Sequence, residues 1–206
     1  MAKGVFSRIA RGIKQKARRR QMRQIFTDIY LNNKWKDAES RSGPGSNPEQ
    51  TVTLKTELPG MLRKLEVRTL LDIPCGDFAW MQEVKLPVDR YIGADIVQEV
   101  TDSNKRRYGG AGTEFVCLDL TKDELPQVDM IFCRDCLVHL PLTDIALALC
   151  NIKRSKARFV TLTTFTEFGE NEDIVSPGKW RKLNLQRAPF FLPQPIQLLD
   201  EKSHAA

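Results

Sequence analysis

The sequence predicts an α/β fold, an open and largely parallel sheet with helices on both faces. Two observations carry this. From residue 69 onward, five short apolar runs alternate with segments of helical character, the pattern that winds a parallel sheet. Asp72, Asp95 and Asp119 sit at the ends of the first three runs. In such sheets, ligands bind beyond the carboxyl ends of the strands, at the topological switch point. A chain of 206 residues, 41% hydrophobic and 28% charged, suits one domain with a sizeable core plus extensions.

The N-terminus is basic. Of the 32 Lys and Arg residues, nine fall in Met1–Thr27, which holds no acid; the remaining 23 face 26 acids, so the body carries a net charge of −3. Val5, Phe6, Ile9 and Ile13 recur at helical spacing and predict a helix over residues 3–29. We divide the chain into a basic helical extension, residues 1–34, and a ligand-binding domain, residues 35–206. The extension suits a solvated helix, a peripheral contact of residues 1–27 with an anionic membrane surface, or a contact with nucleic acid. Its Arg-rich, acid-free start also resembles a mitochondrial transit peptide, an address that would apply in a eukaryote. No apolar run approaches the ~18–20 residues that span a bilayer, and no secretory signal pattern is visible, so a cytoplasmic location is expected.

Ser40-Arg-Ser-Gly-Pro-Gly-Ser46 and Asn47-Pro48 exclude regular structure and read as a linker, although the backbone N–H groups and Arg41 could embrace an anion. A helix is expected from Glu49 or Thr51 to about Leu65, with Leu54, Leu58, Met61, Leu62 and Leu65 as its stripe and Pro59 kinking or splitting it. The strands are expected over 69–73, 90–95, 113–119, 128–133 and 158–164, with a helix from Thr143 to Arg154. Pro195–Asp200 could be a sixth strand; no room remains for a seventh, so the last strand is expected to be missing. Cys75, Cys117, Cys133, Cys136 and Cys150 read as small apolar residues in a reducing compartment. Cys133-Arg-Asp-Cys136 lacks the second pair or His ligand that zinc or redox chemistry needs, and no metal site is expected.

The chemistry lies at the strand ends. Leu70-Leu-Asp-Ile-Pro-Cys-Gly-Asp77 resembles the first motif of class I methyltransferases, Asp-x-Gly-x-Gly-x-Gly, where glycine lets the backbone approach the methionine part of S-adenosylmethionine. Pro74 replaces the first glycine and Phe78 the third; Gly76 remains. A carboxylate at Asp95 can accept both ribose hydroxyls, and in this class the position of Asp119 lies beside the adenine. Dinucleotide binding would need G-x-G-x-x-G, and Asp77 would repel a pyrophosphate. S-adenosylmethionine carries no phosphate, and Asp77 could face its cationic groups. The resemblance implies a cofactor set of Asp72, Pro74, Cys75, Gly76, Asp77, Asp95, Ile96, Asp119, Leu120 and Arg134.

Phe132-Cys-Arg-Asp-Cys-Leu-Val-His-Leu140 resembles the fourth motif of the same enzymes. His139, about one helical turn beyond Asp135, is the candidate general base, with Asp135 in reserve. The other histidine, His204, lies in the C-terminal tail.

The likeness extends over about Trp35 to Asp200. Trp35, Ser40–Ser46, Leu71-Asp-Ile-Pro-Cys-Gly-Asp-Phe-x-Trp-Met81, Tyr91-Ile-Gly-Ala-Asp-Ile96, Arg134–His139 and Trp180-Arg181 with Asn184-Leu185 and Pro189-Phe190 resemble small bacterial class I methyltransferases, some encoded near polysaccharide or glycan genes. The resemblance implies a Rossmann-like sheet, S-adenosylmethionine as cofactor, and methyl transfer; within it Pro74 and Phe78 are ordinary. Polar and aromatic residues suit a small or glycan-like hydroxylated acceptor, with Arg41, Asn171, Trp180 and Arg181 as the acceptor-side candidates. Two rivals stand beside O-methylation. One is a non-catalytic docking module of the same fold that binds a membrane or partner through its basic tail. The other is an RNA methyltransferase, which the acidic body disfavours.

Overall fold

The computed structural model describes residues 20–201. Val5, Phe6, Ile9 and Ile13 of the expected N-terminal helix, and His204, lie outside the described residues. Residues 20–31 are helical (α1), and this stretch packs on the domain: Met22 and Ile29 are buried and Phe26 packs against the same core.

Among the described residues, five parallel strands form one sheet in the order β3-β2-β1-β4-β5: β1 (Thr69–Asp72), β2 (Arg90–Asp95), β3 (Thr113–Cys117), β4 (Met130–Cys133) and β5 (Phe159–Leu162). Each lies within the run the sequence predicts. The first strand pairs with both β2 (Leu70↔Tyr91) and β4 (Leu70↔Met130), so the winding changes direction between β1 and β4.

Side chains alternate between two cores, as the period of a strand requires. Leu71, Ile92, Ile131 and Cys133 face a core shared with Ile145, Ala148 and Ile152 of α4 (Leu142–Ser155) and Met22 of α1. Leu70, Tyr91, Met130 and Phe132 face the other, shared with Leu54, Leu58, Met61 and Leu62 of α2 (Val52–Lys64). The helix α3 (Gln98–Tyr108) follows β2 and ends at Gly109.

The helix α2 runs through Pro59, so of the two expectations for this residue, kinking or splitting, splitting is excluded. A proline inside a helix costs ~3 kcal/mol, whereas each fully buried Leu or Met contributes ~1.5–3 kcal/mol. With Leu54 and Leu58 before Pro59 and Met61 and Leu62 after it, burial outweighs the lost hydrogen bond. The sixth strand at Pro195–Asp200 does not form. Pro193 and Pro195 bring no N–H to a ladder on β5, and Ile196 and Leu198 are 80% and 58% exposed. Instead the segment lines a cavity at the carboxyl ends of the strands, while Leu199 packs against the Leu70-side core. No helix among the described residues is long and apolar enough to cross a membrane.

Candidate active site

The loop after β1 is tied to both neighbouring strands. Ile73 N–H donates to Phe132 O (2.9 Å) and Cys75 N–H to Ala94 O (2.8 Å). Asn104 of α3 donates to Gly76 O (2.7 Å). Gly76 has φ +55°, and a Cβ there would strike the Ser42 side chain. Phe78, at the third glycine position of the motif, also has φ +61°. A side chain in this region costs ~1–2 kcal/mol. Ring contacts with Tyr91, Tyr108 and Phe115 at 5.3, 5.1 and 5.2 Å offset that, at ~0.5–1.5 kcal/mol each. The glycine-like backbone thus survives the substitution.

The glycine- and serine-rich segment is a clamp on this loop. Asp77 accepts from Ser40 Oγ (2.9 Å) and from Arg41 N–H (2.9 Å), and Asp77 N–H donates to Ser42 Oγ (2.8 Å). The anion that this segment embraces is therefore the carboxylate of Asp77 itself. Gly45 packs so closely on Asp135 that a Cβ would collide with Oδ2.

A cavity of 1530 Å³ opens over the switch point, lined by Asp72, Pro74, Cys75, Gly76, Asp95, Ile96, Asp119, Leu120, Arg134, Asp135 and His139. Strand order sets their sequence along its floor: Asp119 beyond β3, Asp95 on β2, the loop after β1, then Arg134 and Asp135 after β4. Three strand spacings of ~4.8 Å make this row ~14 Å long.

Asp95 accepts backbone amides, at Oδ1 from Val97 (2.9 Å) and at Oδ2 from Gly76 (3.2 Å), with a further one from Ile96. A carboxylate has about four acceptor positions, so these amides do not fill it and it can still accept from a ligand hydroxyl. Burial pushes the Asp95 pKa up to about 6, against these amides. Burial also pushes Asp72 up to about 7, opposed by the Tyr91 hydroxyl, which donates to Oδ2 at 2.5 Å. Asp119 Oδ1 accepts from Thr121 N–H (2.9 Å) and Oγ1 (2.6 Å).

Past β4, the Arg134 side chain is 7% exposed and pairs with Glu201 (Nη2–Oε2 2.8 Å) and Asp135 (Nη1–Oδ2 3.4 Å). Asp135 has φ +48° and donates its N–H to Thr163 Oγ1 (2.9 Å). His139 ends a 3-10 turn, Leu137–His139. Its ring stacks on Trp35 with centroids 4.8 Å apart, and Nδ1 lies 3.3 Å from Lys179 O. A carbonyl only accepts, so Nδ1 carries the hydrogen and Nε2 keeps its lone pair. Burial lowers the His139 pKa, with Asp135 pulling the other way.

The remaining candidates divide. Arg41 and Trp180 line the cavity, the latter edge-on to Phe165 at 5.8 Å. Asp77, Asn171 and Arg181 are not brought to it. Asn171 bridges the carbonyls of Asn184 and Ala188, and Arg181 donates to those of Val138, Leu140 and Glu172. Tyr30, Ser42 and Thr163 also line the cavity. Tyr30 and Thr163 gave no signal in the sequence, because lone hydroxyls have no spacing to recognise, whereas Ser42 belongs to the Ser40–Ser46 segment singled out there.

Residues 71–157 match the methyltransferase domain family. This segment is similar to that family, and its five-stranded parallel sheet has the Rossmann-like form of class I methyltransferases. No curated protein sequence matches the chain. Among solved structures, a DhpI–SAH complex covers 81% of this chain and 79% of its own, at 15% identity and a TM-score of 0.52. CalS10, an amino pentose methyltransferase from Micromonospora echinaspora, has a TM-score of 0.45 and 14% identity over 54% of this chain and 48% of its own. Human N-acetylserotonin methyltransferase has a TM-score of 0.42 and 20% identity over 54% of this chain. The chain spans about half of CalS10 and 31% of the human enzyme. The methyltransferase cofactor fits the chemistry of this donor set: the Asp95 carboxylate lies on the cavity wall beside Gly76, where a ligand diol can donate to it.

Proposed function

We propose that this chain transfers the methyl group of S-adenosylmethionine to an oxygen of a small or glycan-like acceptor. The observation that carries this reading is the row of acids, glycine loop and His139 along one cavity floor. Asp119 and Leu120 would hold the adenine end, Asp95 the ribose, and the Pro74–Gly76 loop the methionine part. The cofactor supplies a methyl on a sulfonium, which an oxygen nucleophile displaces in line. The protein's share is to orient both partners and exclude water. His139 would take the acceptor's hydroxyl proton at Nε2, since Nδ1 faces Lys179 O. Its lowered pKa keeps the ring neutral at pH 7, the form that accepts a proton. Trp180 offers an aromatic wall to a sugar face.

The test is methyl transfer from labelled S-adenosylmethionine to a panel of sugars and small alcohols. With an acceptor found, His139→Ala should lower turnover by ~10²–10⁴-fold and leave S-adenosylhomocysteine affinity unchanged. Activity of the wild type should be flat above pH 7 and fall below the His139 pKa. Full activity in the variant would remove His139 from the reaction.

A further inference from the structure

The two halves of the Arg134–Glu201 pair are built differently. Arg134 follows β4, its side chain is 7% exposed, and its guanidinium carbon lies 5.9 Å from the centre of the Trp80 ring. Glu201 comes from the irregular stretch after Leu192, in which Ile196 and Leu198 stay exposed. Its carboxylate takes the fork of Arg134, accepting from Nε at 3.0 Å and Nη2 at 2.8 Å. A guanidinium held by strand and ring, and answered by a carboxylate on an irregular segment, is arranged as a receptor with an exchangeable ligand. The fork accepts any oxyanion of matching geometry, carboxylate or phosphate alike. Its neighbour Asp135 and the imidazole of His139 line the same cavity, so an acceptor anchored by an oxyanion on Arg134 would present its hydroxyl near the deprotonating groups.

We propose that Arg134 is the specificity residue for an anionic methyl acceptor, binding its carboxylate or phosphate-type group. Glu201 occupies that place and holds residues 193–201 along the cavity. Arrival of the acceptor displaces Glu201 and frees the segment. This rests on reading the cavity as a methyltransferase site.

The experiment uses the full chain, first saturated with S-adenosylhomocysteine as followed by calorimetry, then titrated with inorganic phosphate and with malonate at fixed ionic strength. Glu201→Gln removes the internal competitor while keeping the side chain's shape, and should raise oxyanion affinity about tenfold or more, since a tethered competitor acts at millimolar or higher effective concentration. Amide hydrogen exchange over residues 193–201 should accelerate when malonate binds the wild type, and should already be fast in Glu201→Gln. Arg134→Lys, which keeps the charge without the fork, should bind oxyanions more weakly. An unchanged affinity in a folded Glu201→Gln variant would overturn the proposal. Oxyanion binding that vanishes once S-adenosylhomocysteine is present would overturn it too, and would assign Arg134 to the cofactor's own carboxylate. Failure of the first titration, with S-adenosylhomocysteine itself, would instead sink the methyltransferase reading.

Discussion

Replacing Asp72 with Asn should make the protein more stable, and increasingly so as pH rises. The carboxyl group is 4% exposed, its Oδ2 accepts from Tyr91, and burial pushes its pKa up to about 7 from an ordinary value of 3.8. A group whose pKa is raised by folding contributes most when protonated, below pH 3.8, and that contribution is lost as pH climbs through 7. With 1.36 kcal/mol per unit, the loss is about 1.5 kcal/mol at pH 5 and about 4 kcal/mol at pH 8. Asparagine keeps an acceptor for the Tyr91 hydroxyl and has no proton to lose. The stability difference between Asp72→Asn and wild type should therefore grow by ~2–3 kcal/mol between pH 5 and pH 8. Urea unfolding at several pH values, with slopes checked for equality, measures it. A difference that stays flat across this range would refute the claim that Asp72 is buried with a strongly raised pKa.

The same acids couple protons to ligand. With Asp72 and Asp95 near 7 and 6, the site holds protons at pH 6, and a bound sulfonium should expel part of them. The apparent binding enthalpy of S-adenosylmethionine should then vary between buffers of different ionisation enthalpy at pH 6 and much less at pH 8; equal dependence at both would contradict this. Gly45→Ala should displace the Asp135 carboxylate, which a Cβ would strike, and cut methyl transfer about 100-fold, the scale of a 1 Å misplacement, without weakening S-adenosylhomocysteine binding.

Much of this was legible in the sequence for a definite reason. Strands buried between two helical layers are continuous apolar runs, and each of the five ends where polar residues meet the cavity. The acids at 72, 95 and 119 stand out because they close those runs. What failed to show depends on contacts distant in sequence. Ser40–Ser46 has the composition of a linker, yet it grips Asp77, about 36 positions away. Nothing local in the chain announces that partnership. Asp77, Asn171 and Arg181 were legible as polar residues near motifs, but the sequence could not tell that backbone groups and Ser40 would take up their side chains. Residues 195–200 carry the apolar content of a strand, and only the prolines at 193 and 195 argue against one. Phe78 is the reverse case: an apparent loss of a glycine in which the backbone keeps the glycine conformation because three aromatic rings hold it.

The most direct test of the account is calorimetric titration of wild type and Asp95→Ala with S-adenosylhomocysteine, with NAD as control. The account predicts micromolar binding of S-adenosylhomocysteine to wild type, no binding of NAD, and a loss of ~10–100-fold or more in the variant, as expected for removing a charged acceptor of two hydroxyls. A folded wild-type sample that binds neither ligand, or an Asp95→Ala variant that binds as tightly as wild type, would contradict it.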